Sequence, residues 1–372
     1  MLTKATLRAC CAFAVISTAI AQSPVLYEVQ VIDASSTQMP VSVGRGLNDG
    51  GASAGRSFSN PAVDDIAWTQ KHGQIVILPP LAGYTSAAPS SINNRGDTVG
   101  ASFAGGNAGE ATLWPHNGPA QSLGLLPGQN FSFARAINNA GEAVGYSGVN
   151  IFDGRFHIPT KWVSQAPVQI VHPGYTNGAA FDVAPNGTIV GGMWNLQLNP
   201  VSNELQRVDI RGFFTDKHGQ VTILDPLPGG SFTEVGGIAR NGVMMGHADS
   251  GAAFAQNVYE HAIIRQKNGN ILTILPPVGY QVSFLITVNE SGAGIGGFVD
   301  VTVPSPAATF GVMHNLEFFD LDSLLVQPPN SHYIIVDSWD INASGAISAA
   351  AVDVLSPAPA PVAVVLHPTP NT

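Results

Sequence analysis

The sequence contains few charged residues and no excess of basic ones. Only 11% of its 372 residues are Asp, Glu, Lys or Arg. The 25 acidic residues outnumber the 15 basic residues, so the formal net charge at pH 7 is −10. A protein that binds nucleic acid through its phosphates needs a positively charged face. We therefore expect no nucleic-acid partner.

Cysteine is almost absent, and both copies, Cys10 and Cys11, lie in a segment typical of an export signal. Basic residues precede a short apolar run, and Ala19-Ile20-Ala21 supplies small residues before a cleavage point at Gln22. The apolar run is shorter than the roughly 20 residues needed to cross a bilayer, which argues against a membrane anchor. We predict a secretion signal peptide over residues 1–21 and one mature domain over residues 22–372.

The mature chain would then contain no cysteine. This excludes disulfides, thiol catalysis and cysteine-based metal sites. We expect a secreted or periplasmic protein with no transmembrane segment in the mature chain.

Glycine and proline, by contrast, are abundant, and the glycines follow a repeat. A turn of the form Asn-x-x-Gly-x-x-x-Gly, or a near copy, occurs seven times, and its copies begin at Asn48, Asn93, Asn138, Ala184, Ala239, Asn289 and Asn342. The first glycines of successive copies lie 45, 45, 46, 55, 50 and 53 residues apart. A fixed period of this length is typical of repeat architectures. The 41 glycines and 27 prolines favour strands and tight turns over helices.

Residues 90–127 illustrate one repeat. A strand ending at Ile92 is followed by the turn Asn93–Gly96 and a second strand, and a third strand at Ala111–Trp114 leads through the turn His116–Gly118 to a fourth. Four short antiparallel strands in 45 to 55 residues are the size of a propeller blade. The sequence therefore predicts an all-β, seven-bladed β-propeller with four antiparallel strands per blade.

The two ends of the chain bear on how such a ring would close. After the turn at Asn342 the chain ends one strand short of a full repeat, whereas Tyr27–Ile32 belongs to no complete repeat and alternates like a half-buried strand. We predict that this N-terminal strand completes the last blade and closes the ring, leaving no free sheet edge at the joint. We expect a monomer.

The repeat resembles the HAF-repeat family of predicted extracellular bacterial proteins. The turn is matched at Ile92-Asn93, Ile137-Asn138 and Ile341-Asn342, and the tripeptide that names the family survives best as His261-Ala262-Ile263. Elsewhere the tripeptide has become Glu110-Ala111-Thr112. The resemblance spans nearly all of the mature chain and implies an extracellular repeat protein, without assigning catalytic residues or a ligand.

An aromatic residue recurs on the connection between the fourth strand of one blade and the first strand of the next. The residues are Tyr84, Phe131, Tyr175, Phe232, Tyr280 and Tyr333. In a propeller these connections surround the axis on one face, where the rings could stack on a sugar or a peptide. The alternative is that each ring fills the space between two blades.

The innermost strands add polar side chains near the same face, among them Arg135, Asp182 and Asp340. We take these three, with the six aromatic residues, as candidate ligand-binding residues. Paired carboxylates can hold a cation such as Ca²⁺, but no segment supplies the six or more oxygen ligands that it requires. We therefore expect no metal and no cofactor.

Three functional hypotheses follow. The first is an exported, non-enzymatic binding or interaction scaffold whose loop face near the axis holds a carbohydrate or protein ligand. The alternatives are a propeller hydrolase or lyase that uses axial carboxylates, and a structural protein of the extracellular matrix. Acidic residues are neither abundant nor regularly placed on the predicted inner strands, so the first hypothesis is preferred and no catalytic residue is assigned.

Overall fold

The computed structural model describes residues 25–59, 65–105, 108–150, 153–249, 259–304 and 306–369. The predicted signal peptide, residues 1–21, lies outside the described residues. Within those ranges, no helix combines the length and the apolar character needed to span a bilayer.

Short strands account for most of the described chain. In chain order they are β1 (Tyr27–Val31), β2 (Val41–Leu47), β3 (Ser53–Phe58), β4 (Ile66–Lys71), β5 (Gln74–Leu78), β6 (Ser86–Ile92), β7 (Thr98–Phe103), β8 (Gly109–Trp114), β9 (Gln121–Ser122), β10 (Phe131–Ile137), β11 (Ala143–Gly148), β12 (Ile158–Val163), β13 (Ala166–Gln169), β14 (Asn177–Val183), β15 (Ile189–Leu198), β16 (Leu205–Thr215), β17 (Val221–Ile223), β18 (Thr233–Ile238), β19 (Met244–Ala248), β20 (His261–Arg265), β21 (Ile271–Ile274), β22 (Val282–Val288), β23 (Gly294–Val299), β24 (Ala308–His314), β25 (Glu317–Asp320), β26 (Leu325–Val326), β27 (Tyr333–Ile341), β28 (Ile347–Asp353) and β29 (Pro361–Pro368). A one-turn helix, α1 (Leu321–Leu324), and 3₁₀ turns at Ser35–Thr37 and Gly154–Phe156 complete the elements. The predicted all-β class is confirmed.

The strands form antiparallel sheets in chain order, which we number as units. Units 1, 4, 5 and 6 are the four-stranded sheets β2–β5, β14–β17, β18–β21 and β22–β25. Units 2 and 3, β6–β9 and β10–β13, are joined into one eight-stranded sheet by a single parallel residue pair between Phe131 and Gly109. Unit 7 has the order β1-β29-β28-β27, with β26 added in parallel outside β1.

The N-terminal strand pairs with the last strand of the chain. β1 runs antiparallel to β29 in a register from Tyr27 opposite Pro368 to Val31 opposite Val364. The side chain of Tyr27 is fully buried. This is the pairing that we predicted for Tyr27–Ile32, the N-terminal strand that belongs to no complete repeat.

The structure explains why the repeat turn has glycine at two positions. The first glycine of every copy has a φ between 75° and 89°, the left-handed region that favours glycine. The second glycine lies on the second strand of its unit, where a side chain would collide with the first strand: a Cβ at Gly100 would overlap the carbonyl oxygen of Ala88, and one at Gly145 that of Phe133. The pattern in the sequence is therefore set by the backbone.

The hydrophobic core lies mainly at the seams, as we call the contacts between neighbouring units. Val144 of unit 3 packs in one buried cluster with Ala180 and Phe213 of unit 4. Unit 7 likewise shares a cluster with unit 1, in which Val365 packs with Leu47 and Trp68. Because a sheet covered on both faces buries both sets of alternating side chains, apolar residues occur on both faces of the inner strands.

Candidate functional site

A β-bulge interrupts the first strand of every unit at the same position. The ladder skips one residue, three places before the first residue of the repeat turn, and the skipped residues are Arg45, Ser90, Arg135, Phe181, Gly236, Ile286 and Trp339. A bulge leaves its extra residue unpaired and re-aims the side chain. The repeat therefore offers one unpaired residue per unit at this position, and β27 has a second bulge at Val336.

All of these bulged residues line one cavity of about 300 Å³, which we call the central cavity. Its wall also includes Arg56, Ala88, Pro89, Ser91, Phe103, Phe133, Ala136, Tyr146, Asp182, Thr287 and Asp340. Among the predicted site residues, Arg135, Asp182 and Asp340 are thus brought together. Sequence reasoning missed Trp339 and Phe181, although their fixed distance from the repeat turn could have identified them.

Three guanidinium groups face this cavity and differ in how they are neutralised. Arg56 pairs with Asp65, with 2.5 Å between Nη1 and Oδ2. Arg45 Nη1 lies 3.6 Å from Asp337 Oδ2, beyond ordinary hydrogen-bond distance. Arg135 forms neither an ion pair nor a hydrogen bond with any residue of the described chain. Burial, together with the charges of Arg56 and Arg135, lowers the pKa of Arg45 to about 9.

The indole of Trp339 lies beside two of these cations. The guanidinium carbon of Arg45 is 3.8 Å from the centre of the ring, and that of Arg135 is 5.5 Å from it. Both distances allow cation–π attraction. Within the described chain, the buried Trp339 Nε1 and Arg45 Nη1 have no hydrogen-bond acceptor.

Asp182 and Asp340 use their carboxylates to join neighbouring units. Asp182 accepts a hydrogen bond from the backbone of Val183 (2.7 Å) and another across the seam from that of Ile238 (2.9 Å). Asp340 accepts from the backbone of Ile341 and, across the seam between units 7 and 1, from that of Leu47, both at 2.9 Å. Burial raises the pKa of Asp182 to about 6 and that of Asp340 to about 7.

The six predicted aromatic residues, all within the described chain, lie away from the central cavity. Phe131 is fully buried and contacts the rings of Phe103 and Tyr146, 6.5 and 6.0 Å between centroids. It bridges units 2 and 3, as expected of a ring that fills a seam. The Tyr84 hydroxyl donates to Glu110 Oε2 at 2.7 Å, within unit 2.

The other four aromatic residues also contact their own unit. Tyr280 meets the edge of Phe298 at 4.5 Å, and Phe232 lies 5.0 Å from the ring of His247. Tyr175 lies 5.5 Å from His172 and packs against the cluster shared by units 3 and 4, and Tyr333 packs against a cluster shared by units 6 and 7. These contacts stabilise the sheets and place the six rings outside the cavity that holds Arg135, Asp182 and Asp340.

A second cavity, of about 170 Å³, lies on the side of the repeat turns. Arg240 crosses this opening, because its Nε lies 2.8 Å from Glu290 Oε1 and its Nη2 contacts Asp49. Asp182 and Asp340 line both cavities and therefore lie between them. In the described chain, no group of three or more His, Cys, Asp or Glu side chains is arranged to hold a metal ion.

No family model and no curated protein matches this sequence, whereas solved structures do. The β-propeller domain of the Trilobed protease from Pyrococcus furiosus has a TM-score of 0.52 at 7% identity, and the match covers 88% of this chain and 94% of that one. YCF48 bound to D1 peptide matches at a TM-score of 0.44 and 10% identity, over 94% of this chain and 99% of that one.

TolB from Acinetobacter baumannii matches at a TM-score of 0.39 and 14% identity, over 62% of this chain. The match spans about half of the TolB chain, 53%. At these identities the likeness concerns the fold alone, and the Pyrococcus furiosus domain supports it: the chain is a β-propeller protein.

Proposed function

We propose that this protein is an exported, non-enzymatic β-propeller that binds a ligand in the central cavity. The observation that carries the proposal is the convergence of one bulged residue from each unit on a single cavity of about 300 Å³, at the lower end of the size range of ligand pockets. The signal-like residues 1–21 and the resemblance to extracellular HAF-repeat proteins support export to the periplasm or beyond. A carbohydrate and a protein are the candidate ligands.

The proposed architecture is a monomeric, seven-bladed ring in which β1 completes the last blade. Support comes from contacts between the first and last units. Asn342 Nδ2 donates to the carbonyl of Asn48 at 3.2 Å, and the backbone of Ala363 donates to Ser42 Oγ at 3.0 Å. Deletion of residues 24–33 is expected to lower the melting temperature by roughly 10 °C or more, since it removes buried Tyr27 and the ladder with β29. An unchanged melting temperature would contradict ring closure.

Binding in the central cavity is tested by filling it. Ile286→Trp adds a large side chain to the wall, and Val278→Trp adds the same side chain at a fully exposed position as the control. A glycan array and a peptide library screened with the wild type supply the probes, and calorimetry then measures the best one. We expect Ile286→Trp to weaken binding at least about tenfold at an unchanged melting temperature, with no change for Val278→Trp. Equal binding by both variants would place the ligand elsewhere.

A hydrolase or lyase is the second candidate, and one observation favours it. Asp182 and Asp340 line the same cavity with pKa values of about 6 and about 7, a range suited to a general acid. Against it, each carboxylate already accepts two backbone N–H groups. If the wild type turns over a ligand identified on the array and Asp340→Asn abolishes this turnover, the enzyme hypothesis is supported. Absence of turnover by the wild type between pH 5 and 8 would contradict that hypothesis.

A further inference from the structure

We infer that the group bound in the central cavity is a carboxylate carried on a small apolar or aromatic body. This inference rests on the proposed function and narrows it. It is drawn from the hydrogen-bonding groups, the charges and the apolar walls of the cavity, which restrict the ligand in different ways.

Residues of the cavity wall carry hydrogen-bond donors that have no acceptor. Arg45 Nη1 and Trp339 Nε1 are buried without a hydrogen-bond acceptor in the described chain, and Arg135 makes no ion pair or hydrogen bond there. An unsatisfied buried donor costs roughly as much as a lost hydrogen bond or more. A ligand that supplies acceptor oxygens to these groups would recover that free energy.

The two carboxylates and the Ser90 hydroxyl of the wall, in contrast, are already engaged. The oxygens of Asp182 and Asp340 receive backbone N–H groups, and the Ser90 hydroxyl donates to the carbonyl of Ala134 at 2.5 Å. A neutral sugar brings several hydroxyl donors, each of which would need an acceptor when buried. The wall therefore favours a ligand rich in acceptors and poor in donors.

The charges favour an anion that carries a single negative charge. Arg45 and Arg135 lie beside the same indole, and in the described chain only Arg45 of these two has a carboxylate within ion-pair distance, at 3.6 Å. A planar carboxylate matches the fork of a guanidinium and would reduce the repulsion between the two cations. Asp182 and Asp340, in the same wall, disfavour a dianion such as phosphate.

The rest of the wall is apolar and leaves little room. Phe103, Phe133, Tyr146, Phe181 and Ile286 surround the cavity and are partly exposed to it. Aromatic faces of this kind pack against a planar apolar body. At about 300 Å³ the cavity suits a small acid or one terminal residue of a chain.

Calorimetry on the mature protein tests the inference with matched pairs of probes. Benzoate and N-acetylphenylalanine carry the carboxylate as a free acid and as a chain terminus, and benzamide and N-acetylphenylalaninamide are their neutral counterparts. We expect at least one acid to bind about tenfold more tightly than its amide, and which one does identifies the source of the carboxylate. Equal affinity of acid and amide, or tighter binding of glucuronate or inorganic phosphate, would overturn the inference.

Substitutions in the cavity wall test where the carboxylate of the ligand binds. Arg135→Gln should weaken binding of the better acid about tenfold and leave its amide unaffected, since Arg135 has no ion pair or hydrogen bond in the described chain to lose. Arg240→Gln, at the opposite opening, is the matched control and should bind like the wild type. Trp339→Phe keeps a ring and removes Nε1, so a smaller loss is expected. If Ile286→Trp abolishes binding of the acid while Arg135→Gln does not, the proposed site stands and the carboxylate inference fails.

Discussion

The seam between units 1 and 2 and the seam between units 4 and 5 are held by different chemical groups. At the first seam the Asn48 amide donates to the carbonyl of Asn93 at 3.0 Å, and its oxygen accepts from the backbone of Ala52 at 2.9 Å. The same donation to the next unit is made by Asn93, Asn138, Asn289 and Asn342. One uncharged amide thus caps its own turn and joins two units.

At the second seam Ala184 stands where five of the seven turns have asparagine, and two other residues cap the turn and join the units. Asn186 Oδ1 caps the turn by accepting from the backbone of Thr188 at 3.0 Å. Asp182 reaches across to the backbone of Ile238. Glu234 is also enclosed at this seam, where a Cβ on Gly192 would collide with its carboxylate.

The difference teaches that the repeat tolerates loss of its asparagine. At the seam between units 4 and 5 the bond made by Asp182, which is like that of Asp340 to Leu47, places a buried ionisable group between the units. Burial raises the pKa of Glu234 to about 7 against the opposing charge of Arg207, and it raises that of Asp182 to about 6. An amide has no such dependence on pH. The seam between units 4 and 5 should therefore respond to pH where the seam between units 1 and 2 does not.

The largest effect is expected from Asn93→Ala. Asn93 is 4% exposed, and its loss leaves the backbone N–H of Asp97 without its acceptor and removes one of two donors to the carbonyl of Asn138, the other being the backbone N–H of Gly141. The free energy of unfolding, measured in urea, should fall by about 2–4 kcal/mol. The matched control is Asn241→Ala, which removes a partly exposed amide that donates to Glu290 at 3.2 Å and should cost about 1 kcal/mol. Equal losses of unfolding free energy would mean that the buried amide of Asn93 stabilises the fold no more than the partly exposed amide of Asn241.

An intermediate effect is expected from Glu234→Gln, seen as a change in pH dependence. Burial raises the folded-state pKa of Glu234 to about 7 from its ordinary value of 4.5, so the contribution of Glu234 to stability is complete below about pH 4.5 and is lost as the pH rises through 7. Between pH 5 and 8 the free energy of unfolding of the wild type should fall by up to about 3 kcal/mol more than that of Glu234→Gln. Urea unfolding at both pH values measures this. Exposed Glu204→Gln serves as the control, and parallel pH profiles for wild type and Glu234→Gln would contradict the assignment.

The smallest effect is expected from restoring the missing asparagine. In Ala184→Asn the new amide can donate to the carbonyl of Ala239, as Asn138 does to that of Ala184 at 3.0 Å. A gain of about 0.5–1 kcal/mol in the free energy of unfolding is expected. Ala343→Asn, at an exposed turn position, should change nothing. A loss of stability in Ala184→Asn would show that apolar packing has replaced the amide site.

Much of the fold could be read from the sequence because turns carry strong local signals. The glycines of the repeat turn, the hairpin at His116–Gly118 and the alternation of Tyr27–Ile32 depend on neighbouring residues only. Local composition does not reveal the bulges, and only the fixed distance of the skipped residue from the repeat turn marks its position. That distance does not show that Arg45 and Trp339 meet, and the asparagines were interpreted as turn residues although their amides also join units.

The candidate site was predicted in part for the same reason. Arg135, Asp182 and Asp340 were chosen as polar residues on inner strands, and the structure places them at one cavity. The aromatic residues were chosen for their recurrence, which reflects packing within each unit as readily as binding. A ligand-binding role for either group, and the relation to the HAF-repeat family, stay predictions.

The pairing of β1 with β29 also sets an order of events during synthesis. Tyr27 is synthesised long before Pro368, yet the two are partners in the folded sheet. Because the entropic cost of closing a chain grows only slowly with its length, waiting for β29 adds little to the free energy of pairing. Because such distant contacts form slowly, the ladders between strands that are neighbours in sequence would form before β1 and β29 meet. The pairing of β1 with β29 would thus be among the last steps of folding.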